Sequence, residues 1–95
     1  MGYNEPSIEV RIVMQQAGVS PTSAERLVDL ASRIRKEFVA GRVSNTIGPR
    51  ELVNAAKIGK IKGGDYRAGL RLAFTNRLSE VDRMTVDGMA QRVFG

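Results

Sequence analysis

The amino-acid sequence predicts an all-α fold, a small bundle of four to five short helices. Three prolines and ten glycines divide the 95 residues into short segments. Within these segments apolar residues recur three or four positions apart, as on one face of a helix, and no segment alternates convincingly between apolar and polar residues as a half-buried strand does. Because the connections are short, we assign residues 1–95 to a single helical domain with antiparallel or orthogonal packing.

The first two helices are predicted from their ends. The first runs from about Glu5 to Ala17, begins near Asn4 and Pro6, and stops at Gly18. The second begins at Ser20-Pro21, a cap residue followed by proline at the first helical position, and stops near Gly41. Its apolar side is formed by Ala24, Leu27, Leu30, Ala31, Ile34 and Phe38, and its polar side by Arg26, Asp29, Arg33, Lys36 and Glu37. This pattern indicates an amphipathic helix that faces the core.

A third helix is predicted from Pro49 to about Lys60, after Gly48 as the cap residue and before the break at Gly63-Gly64. Its polar face carries Arg50, Asn54 and Lys57, and its opposite face carries Leu52 and Ala56. Because the row of polar residues lies opposite the apolar ones, it is expected to point away from the core.

Asp65 is the predicted cap of a fourth helix that extends through Leu78. Its apolar face is formed by Tyr66, Leu70, Ala73 and Phe74. Arg77 projects into the middle of this apolar stripe, so it needs a partner or a route to solvent. One interpretation places it past the edge of the core, bonded to the last carbonyls of its helix, and the other gives it a paired or intersubunit role.

The last helix is predicted near Val86 to Phe94, burying Met89, Ala90 and Val93. The stretch before it is ambiguous, because Ser79-x-x-Asp82 resembles a weak capping box and Thr85 is an equally good cap.

Composition excludes most catalytic chemistry. The chain has no cysteine, so it has no thiol nucleophile and no thiolate zinc site. It also has no histidine, the residue that serves most often as metal ligand and general base. It contains neither a phosphate-binding loop nor a paired-carboxylate site, and we predict no metal site. No leader or apolar run of membrane-spanning length is visible, and we expect a soluble, cytoplasmic protein.

Positive charge is concentrated in the second half of the chain. Residues 1–48 hold six basic and five acidic side chains, whereas residues 49–95 hold nine and five, within a formal net charge of +5. The basic residues Lys57, Lys60, Lys62, Arg67, Arg71 and Arg77 are opposed in their stretch only by Asp65. Such a stretch suits an anionic partner such as nucleic acid, a nucleotide or an acidic protein, or it is a solvated surface without a ligand.

Arg50 is the strongest candidate for chemistry. It lies in the first turn of the third helix, where unsatisfied N–H groups and the helix dipole already favour an anion. A guanidinium there can clamp a phosphate. The alternative is a surface arginine that pairs with Glu51 or with nothing.

Three blocks of sequence resemble a known family. The stretch IGPRELVNAAKIG is similar to the sensor-2 helix of AAA+ ATPases. In those proteins a Pro-Arg pair opens the third helix of the carboxy-terminal lid. The end of the cobaltochelatase ATPase subunit CobS resembles RAGLRLAFTNRLSEVDR and AQRVFG, and the amino-terminal half is similar in texture to lids of the MoxR, CobS and NorQ type. The cap Gly48 departs from the serine or threonine that is common there.

The resemblance implies a lid fragment that packs beside the nucleotide of a ring-forming ATPase. Arg50 would be the sensor-2 arginine for ATP binding and hydrolysis, with Pro49 setting the helix start and Asn54 beside it. Arg77 and Arg83 match basic positions of the chelatase pattern, where they would serve packing or intersubunit contacts. ATP, with magnesium, would belong to the parent enzyme and would not be held stably by this fragment. Its partners would be the nucleotide-binding core of the parent chain and neighbouring subunits of the ring.

The runner-up from a different class is an independent basic helical module that binds nucleic acid or an acidic protein. The basic stretch favours it, but Tyr66 is the only aromatic residue between Lys57 and Arg71, so no stacking platform for single strands is evident. We therefore favour the lid over the independent module.

Overall fold

The part of the chain that the structure describes forms five α-helices, in agreement with the predicted all-α class. The computed structural model describes residues 5–94, and none of these lies in a β-strand. In chain order the helices are α1 (Pro6–Ala17), α2 (Pro21–Val39), α3 (Pro49–Ile61), α4 (Tyr66–Ala73) and α5 (Glu80–Phe94), with a 3₁₀ turn at Thr75–Arg77. The predicted start of α1 near Asn4 lies outside the described residues.

Local capping interactions set most of the helix ends. The Ser20 hydroxyl accepts a hydrogen bond from the Ser23 N–H (3.2 Å), and the Asp65 carboxylate accepts one from the Ala68 N–H (3.1 Å). Gly18 ends α1 with φ of 69°, in the left-handed region that glycine adopts without steric cost. These caps confirm the starts predicted for α2 and α4 and the end predicted for α1.

The core lies where the helices meet, and α3 and α4 pack most closely. Every helix contributes to one cluster of buried apolar side chains, including Val13, Leu27, Ile34, Leu52, Leu70 and Val86. In α3, Leu52 and Ala56 are buried, whereas Arg50, Asn54 and Lys57 are exposed. The predicted division of this helix into an apolar and a polar face is therefore confirmed. The polar face of α3 is thereby left open for a ligand or partner.

The predicted extension of α4 through Leu78 is wrong. The chain leaves helical geometry at Phe74 (φ −144°, ψ −59°), because Thr75 turns into the core, where its side chain is buried. The turn also moves Arg77 off the apolar stripe, and its Nη2 donates a hydrogen bond to the carbonyl of Ala73, the last residue of α4. The interpretation that Arg77 bonds to the end of its own helix is therefore confirmed.

Helix α5 begins at Glu80, earlier than the start predicted near Val86. Ser79 is its cap, since the Ser79 hydroxyl accepts a hydrogen bond from the Asp82 N–H (3.3 Å). The buried Asp82 carboxylate accepts a hydrogen bond from the Ser44 N–H (2.9 Å), which ties α5 to the loop before α3. Three residues of this helix were predicted to be buried. Met89 and Ala90 are buried, whereas Val93 is only half-buried.

The carboxyl end of α2 extends beyond the core. Phe38, predicted to lie on the core side, is 41% exposed, and the residues that follow it up to Arg42 are exposed or half-exposed as well. The inward position in this turn belongs to Arg35, which is buried. The prediction for Phe38 is wrong because nothing in residues 5–94 packs over the last turn of α2 closely enough to cover the ring.

A buried ion pair joins α1, α2 and the loop before α3. Arg35 donates two parallel hydrogen bonds to the carboxylate of Glu9, at 2.7 and 2.8 Å, and a third from Nε to the carbonyl of Ile47 at 2.9 Å. Ile47 directly precedes Gly48, so this network also fixes the point from which α3 departs. None of the helices described between residues 5 and 94 is long and apolar enough to cross a membrane.

Candidate functional site

A shallow groove between α1 and α3 brings three of the predicted site residues together. Pro49, Arg50 and Asn54 lie along one side of it, with Lys57 one turn further. The groove has a volume of about 310 Å³, and its remaining lining is Ile12, Gln16 and Val53. We name this cleft the α1–α3 groove.

Arg50 is held at the start of α3 without an internal partner. Its side chain is exposed and forms no hydrogen bond or ion pair with the described residues. The alternative pairing with Glu51 is not formed among the described residues, and the Glu51 carboxylate instead accepts a hydrogen bond from the Gly48 N–H at 2.9 Å. The guanidinium is thus free to meet an anion from outside the domain.

The cap residue of α3, Gly48, has no side chain, whereas α2 and α4 begin at the capping side chains of Ser20 and Asp65. The Glu51 carboxylate accepts from the Gly48 N–H and the proline at position 49 has no N–H, which leaves the N–H groups of Arg50 and Glu51 without a side-chain acceptor among the described residues. The N–H groups of this turn keep the partial positive charge that a helix amino terminus carries. They lie in the same turn as the Arg50 guanidinium, so backbone and side chain favour an anion at the same end of the helix.

The electrostatic character of the α1–α3 groove is positive. Arg50 and Lys57 are its charged residues, neither is paired within residues 5–94, and no acidic side chain lines it. Asn54, between them on the exposed face of α3, adds an amide that can donate or accept a hydrogen bond. Across residues 5–94, no three acidic side chains gather as a metal-binding group.

Three groove residues, Ile12, Gln16 and Val53, were not predicted from the sequence. Ile12 and Gln16 are one turn apart on α1 and reach α3 only because the two helices pack together. No local pattern in the first helix marks them, since its apolar residues are spread around the axis. Only the tertiary packing places them beside Arg50.

Arg77 and Arg83 lie apart from the α1–α3 groove. Arg77 lines a separate small cleft of about 220 Å³ with Glu51 and Leu78. Arg83 is exposed on α5, and its side chain has no partner among residues 5–94. The structure therefore gathers Pro49, Arg50 and Asn54 but does not bring Arg77 or Arg83 to them.

The basic stretch from Lys57 to Arg77 is partly used within the chain. Lys60 donates a hydrogen bond to the Gly18 carbonyl (2.8 Å), Arg71 pairs with Asp87 (3.5 Å), and Arg77 bonds to Ala73. Arg67 is half-buried. Lys57 and Lys62 are the two exposed members of the stretch without a partner in the described part of the chain, so much of its charge is tied to the fold.

One family model accounts for nearly the whole chain. Its description is CbbQ/NirQ/NorQ C-terminal, and it matches residues 9–93, which include α2, α3, α4 and most of α1 and α5. A search of curated proteins gives no match. The chain thus belongs to the CbbQ/NirQ/NorQ C-terminal family, the carboxy-terminal helical domain of AAA+ ATPases.

Proposed function

We propose that this domain is the lid of a ring-forming AAA+ ATPase of the MoxR/CobS kind and that Arg50 is its sensor-2 arginine. The observation that carries the proposal is the free guanidinium of Arg50 in the first turn of α3, directly after a cap residue, Gly48, that has no side chain. An arginine with no partner in the described chain, beside unsatisfied N–H groups, suits an oxyanion supplied from outside the domain.

The α1–α3 groove fits a polyphosphate better than a neutral ligand. Arg50 and Lys57 stand two turns apart on α3 with Asn54 between them, and no carboxylate opposes them. In the parent enzyme, magnesium-bound ATP supplies the phosphoryl group that is transferred to water. Arg50 would donate hydrogen bonds to phosphate oxygens and stabilise the negative charge that grows on them during transfer. Asn54 would help to position the same phosphate.

The domain does not do this alone. The α1–α3 groove is shallow and open to solvent, so the nucleotide would be held chiefly by the nucleotide-binding core of the parent chain. Arg50 would act on the nucleotide of its own chain or of the neighbouring subunit in the ring. Arg77 and Arg83, which lie outside the α1–α3 groove, would serve packing or intersubunit contacts. We place the assembled ATPase in the cytoplasm.

The test is ATP hydrolysis by the intact parent ATPase carrying Arg50→Ala. We expect turnover to fall about tenfold to a thousandfold, because a bidentate cation is lost from the developing charge. Arg50→Lys should restore activity only in part, since an ammonium cannot reproduce the planar fork. The matched control is Arg26→Ala, which removes an exposed arginine of α2 outside the α1–α3 groove. Unchanged turnover of Arg50→Ala in a correctly assembled ring would refute the assignment.

A further inference from the structure

A second groove lies on another side of the domain, between α2 and α5. It has a volume of about 490 Å³ and shares no residue with the α1–α3 groove. Its lining includes Arg33 and Lys36 of α2 and Met84, Gly88, Met89 and Arg92 of α5. We name it the α2–α5 groove.

Gly88 is the unusual residue of this groove. It lies inside α5 with ordinary helical φ, where glycine is among the least favourable residues. A Cβ atom at Gly88 would meet nothing within 4 Å, whereas the helix glycines Gly59 and Gly69 are required by close packing of α3 on α4. Nothing in residues 5–94 therefore explains a glycine at 88. Its effect is to leave the backbone of α5 open to close approach from outside.

Apolar side chains flank the open backbone. Met84, one turn before Gly88, is 70% exposed, and Val81, one turn earlier, is 71% exposed. Met89 closes the floor of the groove and is nearly buried. Methionine adapts its unbranched side chain to different apolar shapes, which suits a surface that receives a partner.

The rim of the α2–α5 groove is basic. Lys36 and Arg92 have no partner among the described residues. Glu37 also lines the groove, but its carboxylate is held by Arg42 at 2.7 Å. Arg33 is engaged only at 3.3 Å with Asp29 in an exposed pair. Unpaired cations around an apolar strip favour acidic side chains in the occupant.

We propose that the α2–α5 groove docks an acidic amphipathic helix of a partner protein. The apolar stripe of that helix would pack on Met84 and Met89, and its backbone would approach α5 most closely at Gly88. Acidic residues on its flanks would pair with Lys36 and Arg92. A second copy of this chain is a poorer occupant, because with a formal charge of +5 it would bring an excess of cations, and not carboxylates, to Lys36 and Arg92.

The proposal is tested with a defined probe. An 18-residue helical peptide with leucine at every third or fourth position and glutamate on both flanks is titrated into the ¹⁵N-labelled chain. We expect saturable chemical-shift changes centred on Gly88, Met84 and Met89, with Kd on the order of 10 to 100 μM for so small an interface. The same peptide with lysine in place of every glutamate should bind at least about tenfold more weakly.

Two variants of the chain locate the binding. The double substitution Lys36→Glu and Arg92→Glu should weaken binding of the acidic peptide at least about tenfold. The control is Arg11→Glu with Lys62→Glu, which makes the same charge change on exposed residues outside the groove. This control should weaken binding much less. Gly88→Gln should block binding while the chain stays folded, as seen by circular dichroism.

Three results would overturn the proposal. Shifts centred elsewhere on the domain, or equal loss in both double variants, would show that the peptide reads only overall charge. Concentration-dependent dimerisation of the free chain through Gly88 would assign the groove to a second copy. Duplex DNA that shifts the same residues and displaces the peptide would assign it to nucleic acid. The proposed role of Arg50 stands or falls separately, since the two grooves share no residue.

Discussion

Gly69 of α4 lies directly against the backbone of Gly59 in α3. A Cβ atom placed on Gly69 would come within 2.8 Å of the Gly59 nitrogen and 2.2 Å of the Ala55 carbonyl oxygen. A Cβ on Gly59 would in turn meet the ring of Tyr66 at 2.4 Å. The two glycines let the helices cross at a separation that no side chain allows, and this contact holds α4 against the helix that carries Arg50.

Gly69→Ala should therefore destabilise the domain, whereas Gly88→Ala should stabilise it. At Gly69 the new methyl group meets rigid backbone, so the helices must separate, at a cost of about 1–3 kcal/mol in the free energy of unfolding. At Gly88 the methyl group meets nothing, and alanine is the better helix former by about 1 kcal/mol. Urea denaturation of the two variants measures both effects. A loss of stability at Gly88 equal to that at Gly69 would contradict this account.

Loss of Arg35 should be costly because its partner is buried. Glu9 is 2% exposed, and Arg35→Met would leave its carboxylate without the two hydrogen bonds it accepts. Removal of one partner from a buried ion pair lowers the free energy of unfolding by about 3–5 kcal/mol.

The control is Arg33→Met, which breaks an exposed pair with Asp29 and should cost less than about 1 kcal/mol. Replacing Glu9 and Arg35 together by methionine should be less harmful than Arg35→Met alone, since no charge stays buried. Equal midpoints of urea denaturation for Arg35→Met and Arg33→Met would show that the Glu9–Arg35 pair contributes little.

Local sequence patterns predicted the helices, whereas the features that were not predicted depend on tertiary contacts. Ser20, Asp65 and the prolines at 21 and 49 act within one helical turn, so the sequence alone reveals them. The early end of α4 depends on burial of Thr75 against the rest of the bundle, and the Glu9–Arg35 pair joins residues 26 positions apart. Only the polar residues on the α3 side of the α1–α3 groove were predicted, because they follow one another on a single helix face. The α1 side joins the groove only when the two helices pack together.

The pKa of Glu37 should lie below its ordinary value. The main cause is the hydrogen bond from the Arg42 guanidinium, assisted by the positive charge of Arg42 and opposed in part by desolvation. A lowered pKa in the folded state stabilises the fold above the pKa of the unfolded carboxyl, and this contribution is lost as the pH falls through the folded pKa. Arg42→Ala should raise the pKa of Glu37 towards the ordinary value, as followed by NMR titration of its carboxyl carbon.

The effect of this pair on stability should be small, because the Arg42 side chain is 66% exposed and solvent and salt screen the pair. The stability difference between the wild-type chain and Arg42→Ala should shrink as the pH is lowered and as salt is added. A Glu37 titration that does not move in Arg42→Ala would show that the pair is not formed in solution.

Arg50→Ala should leave the stability of the isolated chain almost unchanged. The side chain is exposed, forms no hydrogen bond or ion pair within residues 5–94, and is neither a cap nor part of the core. Substitutions at such positions change the free energy of unfolding by less than about 0.5 kcal/mol.

Glu51→Ala, one residue later, is the matched comparison. It removes the acceptor of the Gly48 N–H and should cost about 0.5–1.5 kcal/mol. Thermal unfolding followed by circular dichroism separates the two variants. If Arg50→Ala destabilised the chain as much as Glu51→Ala, Arg50 would have a structural task, and loss of hydrolysis in the parent enzyme would no longer identify it as a phosphate-binding residue.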